Sequence, residues 1–244
     1  MMSASTKTKY LRYYKLATKI FKIAVEVFLA SSIALTIVYK WANPPITPLM
    51  LKRVVEQVFD GKEIKLKKEW VDIRDISGNM TMSVIASEDN NFLKHYGIDF
   101  KAIKRARELN KTRKHKLGAS TISQQTAKNV FLFPSRTYIR KGFELYFTEL
   151  IELIWGKERI MEVYLNVIET GDGIYGVEAA SRQYFNKPAS KLSKMEAAKI
   201  AAILPNPLKY KILNPGSYVR RRSATISQLS GKLIRPEWVK RKKQ

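Results

Sequence analysis

Two adjacent carboxylates, Glu88 and Asp89, open the segment S-E-D-N-N-F-L-K-H-Y-G at residues 87–97, with Phe92, His95 and Gly97 behind them. A carboxylate set among apolar and polar neighbours in a basic chain is a candidate general base toward a hydroxyl, which is a poor nucleophile until its proton is taken. The apolar spacing of Met80, Val84 and Ile85 predicts a helix over residues 80–90, with Ser77 available as a cap ahead of it. Glu88 then falls near the C-terminal end of that helix, where the helix dipole works against a negative charge and favours proton uptake. His95 stands far from any other candidate partner and reads as structural, hydrogen-bonding within its own segment.

Positive charge is the second chemical resource. The 244 residues include 45 Lys/Arg against 21 Asp/Glu, a formal net charge of +24, and the bases are spread along the whole chain. Such a surface favours an anionic partner: nucleic acid, acidic lipid or a phosphorylated substrate. A nucleic-acid binder would need an aromatic and basic groove or a recognisable module, and neither is in the sequence. The chain has no cysteine. Disulfides, thiol nucleophiles, Cys-based zinc sites and iron–sulfur clusters are thereby excluded, while an oxidising compartment is permitted.

These residues need elements to position them. Residues 23–39 read I-A-V-E-V-F-L-A-S-S-I-A-L-T-I-V-Y, and extending the run back to Ile20 gives the length of a membrane-spanning helix. Glu26 can pair with Lys22, Tyr39 and Trp41 serve as interfacial anchors, and the basic N-terminus predicts a cytoplasmic tail with the main domain outside. The expected organisation is a basic tail (1–19), a transmembrane helix (20–41), a proline-rich linker (42–48), one domain (49–233) and a basic tail (234–244). Within the domain, apolar periodicity predicts helices over 50–59, 100–109, 138–155, 157–166, 177–184 and 217–229. Ser120 is placed to cap a helix bearing Gln124, Gln125 and Lys128, and Ser193 with Glu196 forms a capping-box pattern ahead of an alanine-rich helix. Residues 62–75 read as extended, 171–176 as a glycine-bearing loop, and 101–116 as a basic solvated loop. Strands are scarce, and the fold class is mainly α.

Four blocks in this order resemble glycosyltransferase family 51, the peptidoglycan glycosyltransferases, and in particular its stand-alone members. They are Glu88-Asp89-x-x-Phe92-x-x-His95-x-Gly97, then Gly118-x-Ser120-Thr121-Ile122-x-Gln124-Gln125-x-x-Lys128-Asn129, then Arg140-Lys141-x-x-Glu144. The fourth is Glu162-x-Tyr164-Leu165-Asn166, continuing through Gly171-x-Gly173-x-Tyr175-Gly176 to Ala179-Ala180. The resemblance implies a lysozyme-like helical lobe with a small membrane-facing jaw lobe, in a protein of the bacterial inner membrane. It implies a substrate, lipid II, joined with release of undecaprenyl pyrophosphate into β-1,4 glycan on a growing lipid-linked strand.

By the same resemblance Glu88 is the general base, and Glu144 is the second carboxylate, beside the donor pyrophosphate, where it helps hold a divalent cation, Mg²⁺ or Mn²⁺. Lys128, Arg140 and Lys141 match positions around the phosphates, with Arg105 and Arg136 two further basic positions. Ser120, Thr121 and Asn129 belong to the substrate-binding block. Gln124 and Gln125 are either surface helix residues or donors to sugar and phosphate oxygens. Asp89, Phe92, His95, Gly97, Tyr164, Asn166, Gly173, Tyr175 and Gly176 hold or shape the cleft. The sequence departs from the common G-G-S-T-I-T-Q-Q at Ala119 and Ser123.

The chemistry explains these residue types. A pyrophosphate leaves as a stable anion, so the enzyme must chiefly supply positive charge where that anion develops. Direct displacement with the base on the acceptor side inverts the anomeric centre. The basic 101–116 stretch is placed to meet anionic lipid headgroups. Two other readings compete: a lytic enzyme cleaving glycan, which would need no pyrophosphate cradle, and a non-catalytic scaffold among cell-wall synthesis or division proteins, which two retained glutamates disfavour. The chain carries no Ser-x-x-Lys penicillin-binding domain, so cross-linking is not expected.

Overall fold

A computed structural model describes residues 4–113, 117–135 and 137–239. The chain divides into two units, Met1–Ala42 and Asn43–Gln244. In the first, helix α1 (Ala4–Trp41) runs unbroken through both the expected tail and the expected span. No glycine or proline interrupts it before Asn43-Pro44-Pro45, so the basic residues from Lys7 onward continue the helix of the span. Its Leu11–Trp41 portion is long and apolar enough to cross a membrane. Lys22 and Glu26 pair at 3.9 Å, one turn apart on its surface.

The second unit is helical, as the periodicity predicts. Its helices are α2 (Pro48–Phe59), α3 (Gly78–Glu88), α4 (Phe100–Leu109), α5 (Ile122–Phe131), α6 (Tyr138–Ile154), α7 (Gly156–Val167), α8 (Val177–Phe185), α9 (Lys194–Ile203) and α10 (Ser217–Ser230). Two packing groups form the core: α3 against α9 and α10, and α5 against α6 and α7. Ala197, Ala198, Ala201 and Ala202 of α9 are buried, and such small side chains let neighbouring helices approach closely. Every residue of α3 from Met80 to Ala86 is buried, where the sequence pattern suggested a single apolar side. A helix buried on all sides is a rigid support, and Glu88 is its last residue.

Local chemistry sets the ends of these helices. Ser77 caps α3 by accepting from the Asn79 amide at 3.3 Å, and Ser193 and Glu196 form the expected capping box on α9. For α5 the cap is Thr121, not Ser120: the Thr121 hydroxyl accepts from the Gln124 amide while the Gln124 side chain accepts from Thr121 N. Ser120 lies one residue too early and is exposed.

The 62–75 stretch contributes only the two-residue strand β1 (Lys67–Lys68) and a 3₁₀ turn at Ile73–Asp75. The expected glycine-bearing loop folds as a hairpin of β2 (Glu169–Gly171) and β3 (Ile174–Tyr175), and β1 joins β3 in parallel to make a sheet ordered β1-β3-β2. Strands this short leave no alternation to read. Gly173 has φ +68, and a Cβ there would lie 2.5 Å from the Lys65 carbonyl oxygen, so only glycine closes this corner.

Gly97 is equally constrained. Its φ is +69, and an added Cβ would meet the Thr148 methyl at 2.8 Å. Gly97→Ala is expected to cost about 1–3 kcal/mol of stability through the left-handed backbone alone, more with the clash, in equilibrium unfolding. Unchanged stability would show that the segment after Phe92 is not locked against α6.

Candidate active site

Glu88 is held from two sides. One carboxylate oxygen accepts from Ser87 Oγ at 2.8 Å and the other from Gln125 Nε2 at 3.1 Å. Gln125 Oε1 in turn accepts from the Tyr164 hydroxyl at 3.2 Å. Burial, and after it the nearby Glu88 and Asp89, raise the Tyr164 phenol well above its usual range, so it remains a donor and orients the Gln125 amide toward Glu88. From the opposite side Arg222 of α10 donates to Ser87 Oγ at 3.0 Å and stands 3.9 Å from a Glu88 oxygen. A cleft of about 380 Å³ opens on Glu88, lined also by Lys101, Arg105, Ser120 and Thr121.

The residues after Glu88 form a dense polar scaffold. Both Asp89 oxygens contact His95 Nε2, at 2.9 and 3.0 Å, and one also accepts from the Ile122 amide at 3.1 Å. His95 therefore braces Asp89 against the start of α5. Phe92 is fully buried. Glu152 of α6 accepts from the Gly97 amide at 2.9 Å, from Ser123 Oγ at 2.5 Å and from Lys157 Nζ at 2.5 Å. The Thr121 hydroxyl donates to the Gly97 carbonyl at 2.5 Å. Buried acids survive by collecting donors in this way. Sequence reasoning missed Ser87, Glu152, Lys157 and Arg222. Lys157 lies five positions after Glu152, but no local pattern ties either to Gly97 or Ser123, and α10 is remote from Glu88 in sequence.

One face of α5 connects the base to the cationic cluster. Gln125 and Lys128 are three positions apart, neighbours on that face. Glu144, only 3% exposed, accepts from Arg140 at one oxygen and from Lys141 at the other. Burial pushes the pKa of the Lys128 ammonium down, against the attraction of Glu144; Arg140 and Lys141 push it further down, and Glu88 pulls it back. Lys128 thus feels the charge of both carboxylates and of both other cations. A second cleft, of about 550 Å³, is lined by Lys128, Asn129 and Arg140 together with Lys52 of α2.

The expected residues therefore sort into groups. Glu88, Arg105, Ser120 and Thr121 line one cleft, and Lys128, Asn129 and Arg140 line the other, with Glu144 and Lys141 packed on Arg140 or beside it. Gln125 bridges to Glu88. Gln124, by contrast, is buried as the partner in the α5 capping box and not presented to either cleft. Asn166 bonds the Val71 backbone at 2.9 Å in both directions and so fixes the 70–73 segment, away from both clefts. Tyr175 is buried in the small sheet, and neither it nor Gly173 or Gly176 lines these two clefts. Arg136, like Lys114 and Lys116 of the basic stretch, lies outside the described residues.

The carboxylate expected to help hold a divalent cation, Glu144, already has cationic partners, one on each oxygen. Among the described residues no three His, Asp or Glu side chains converge. Hard cations collect several oxygen ligands, so a divalent cation beside Glu144 would take most of its ligands from substrate phosphate oxygens and water.

Comparison with known proteins gives the site its context. Residues 53–230 match the family described as Transglycosylase. A protein of Bacteroides thetaiotaomicron named biosynthetic peptidoglycan transglycosylase is 52% identical over 202 residues, covering 83% of this chain and 82% of that protein. Proteins of the same name from Bdellovibrio bacteriovorus (50% over 203 residues, 83% and 81% covered) and Caulobacter vibrioides (48% over 209 residues, 86% and 89% covered) are similarly near. With more than half of its length matched and relatives of this identity along most of it, the chain belongs to the transglycosylase family.

Proposed function

We propose that this chain is a peptidoglycan glycosyltransferase that polymerises lipid II, with Glu88 as general base. Glu88 takes the proton of the acceptor 4-hydroxyl as that oxygen bonds to the donor's anomeric carbon. The bond from that carbon to the pyrophosphate oxygen breaks, and the lipid pyrophosphate leaves as an anion. Lys128, Arg140 and Lys141 balance the charge that develops on it, while Glu144 keeps the last two in place. Arg105 and Ser120 border the cleft that opens on Glu88.

The observation carrying this reading is the α5 face on which Gln125 holds Glu88 and Lys128 senses both Glu88 and the Glu144 cluster. It joins a base to an anion cradle, which a displacement from a pyrophosphate needs and cleavage of a neutral glycan does not. The membrane-length helix supports an inner-membrane protein, and its basic N-terminal half supports a cytoplasmic N-terminus with the catalytic unit outside. Exposed Phe59, Phe133, Tyr138 and Ile139, with the basic surface of α4, suit contact with anionic lipid.

The test sets synthesis against lysis. The full chain in detergent is given labelled lipid II in one reaction and labelled preformed glycan in another. Polymer from the first and intact strands in the second are expected. Disaccharide released from the strands, with no polymer from lipid II, would overturn the reading in favour of the lytic one.

A further inference from the structure

We infer that Arg222 is a positioning residue for the base, acting on Glu88 through Ser87. The inference rests on the reading of Glu88 given above. Arg222 comes from α10, close to the C-terminal end of the folded unit, and it reaches the end of α3 with a single nitrogen. That nitrogen, Nη2, donates to the Ser87 carbonyl at 3.3 Å and to Ser87 Oγ at 3.0 Å. The carbonyl is among the last of α3, which have no partner inside the helix, so a cation there answers both its free lone pairs and the negative end of the dipole.

The hydroxyl contact sets a direction. Ser87 has one hydroxyl hydrogen and two nearby acceptors, Glu88 Oε1 at 2.8 Å and the Ala201 carbonyl at 3.3 Å. With a guanidinium N–H on its lone pair, Ser87 can only donate onward, and the shorter contact is to Glu88. The relay from Arg222 through Ser87 to Glu88 Oε1 is thus polarised one way. Gln125 holds Oε2 from α5, on the other side. Two helices, α5 directly and α10 through Ser87, thus clamp the two oxygens of one carboxylate and fix its plane relative to the cleft.

Among the described residues the Arg222 Nε, like that of Arg140, is buried without a hydrogen-bond partner. Because one nitrogen makes both contacts to Ser87, a lysine ammonium can reproduce them, which is not so at a two-nitrogen arginine site.

Arg222→Met keeps the aliphatic stem in α10 and removes the donor. With detergent-solubilised full chain and lipid II, kcat is expected to fall about 10–100-fold, the order that misplacement of a reacting group costs, with KM within about twofold of the parent. Arg222→Lys restores most of the loss. Ser87→Ala lowers kcat by a similar factor, and the Ser87→Ala/Arg222→Met double variant is no slower than Ser87→Ala alone, because both act along one relay. Parental kcat in Arg222→Met, a loss confined to KM, or fully multiplicative effects in the double variant would overturn the inference. Should Arg222→Met fail to fold, Ser87→Ala in parental and Arg222→Lys backgrounds reads the same coupling. A Glu88→Gln control separates the failures: parental activity there removes the base itself, while an inactive control beside a fully active Arg222→Met removes only the positioning role.

Discussion

Lys128→Met is expected to lose polymerisation by about 10²-fold in kcat, the usual loss when one preorganised charge is taken from a developing anion. The same variant should unfold at a higher temperature than the parent. The two results have one cause. Without substrate, Lys128 is a half-buried cation whose pKa burial has lowered and which shares its neighbourhood with Arg140 and Lys141. Methionine fills much the same volume and carries no charge to desolvate. Each kcal/mol recovered is worth about 2–4 °C in Tm for a chain of this size.

The sign of the pH dependence follows. A lysine with a lowered pKa in the fold binds its proton more tightly when unfolded, so parental stability rises with pH between the lowered value and the ordinary lysine range. Below that window the full penalty is present. The Tm advantage of Lys128→Met should therefore be largest at neutral pH and shrink as the pH climbs into the ordinary lysine range. An advantage that does not change across that range, or a variant less stable than the parent at neutral pH, would mean that the Lys128 charge is not what the fold holds at a cost.

Glu88→Gln carries the largest expected effect. It keeps the size and planarity of the side chain and removes the group that accepts the proton, so kcat should fall by about 10²–10⁴-fold, the range general-base assistance contributes. On the proposed reading substrate is held across two clefts and a cationic set, so KM should hardly move. Stability should change little as well, since Glu88 is partly exposed and the amide oxygen of glutamine can still accept from Ser87. A fall in kcat with an intact melting transition separates chemistry from folding.

How far the sequence carried these conclusions depended on the range of the interactions involved. Helix spacing, the Ser77 and Ser193 caps and the helix breaks are local, and the chain states them within a few residues. The placement of α5 was legible too, but its cap moved from Ser120 to Thr121, because the choice turns on the Gly97 carbonyl, distant in sequence, that the Thr121 hydroxyl also reaches. The sequence alone points Gln124 toward substrate or solvent; the capping box that turns it inward depends on which residue caps.

The cationic set at Lys128, Arg140 and Lys141 was legible through block resemblance. That it shares a helix face with the residue holding Glu88 required the fold. Glu152 and Arg222 carried no signal at all. An acid within an apolar helix and one of three successive arginines look unremarkable until α6 and α10 are seen to press them against the segment around Glu88.

The central claim, that Glu88 activates the acceptor hydroxyl of a pyrophosphate-linked glycan precursor, is tested most directly by one measurement. Full-length parent and Glu88→Gln, matched for melting temperature, are incubated with saccharide-labelled lipid II under enzyme excess, and the product is digested with a β-1,4-specific muramidase. The account predicts polymer from the parent that the muramidase reduces to disaccharide units, and no polymer from Glu88→Gln over the same interval. Polymer from Glu88→Gln at the parental rate would contradict it.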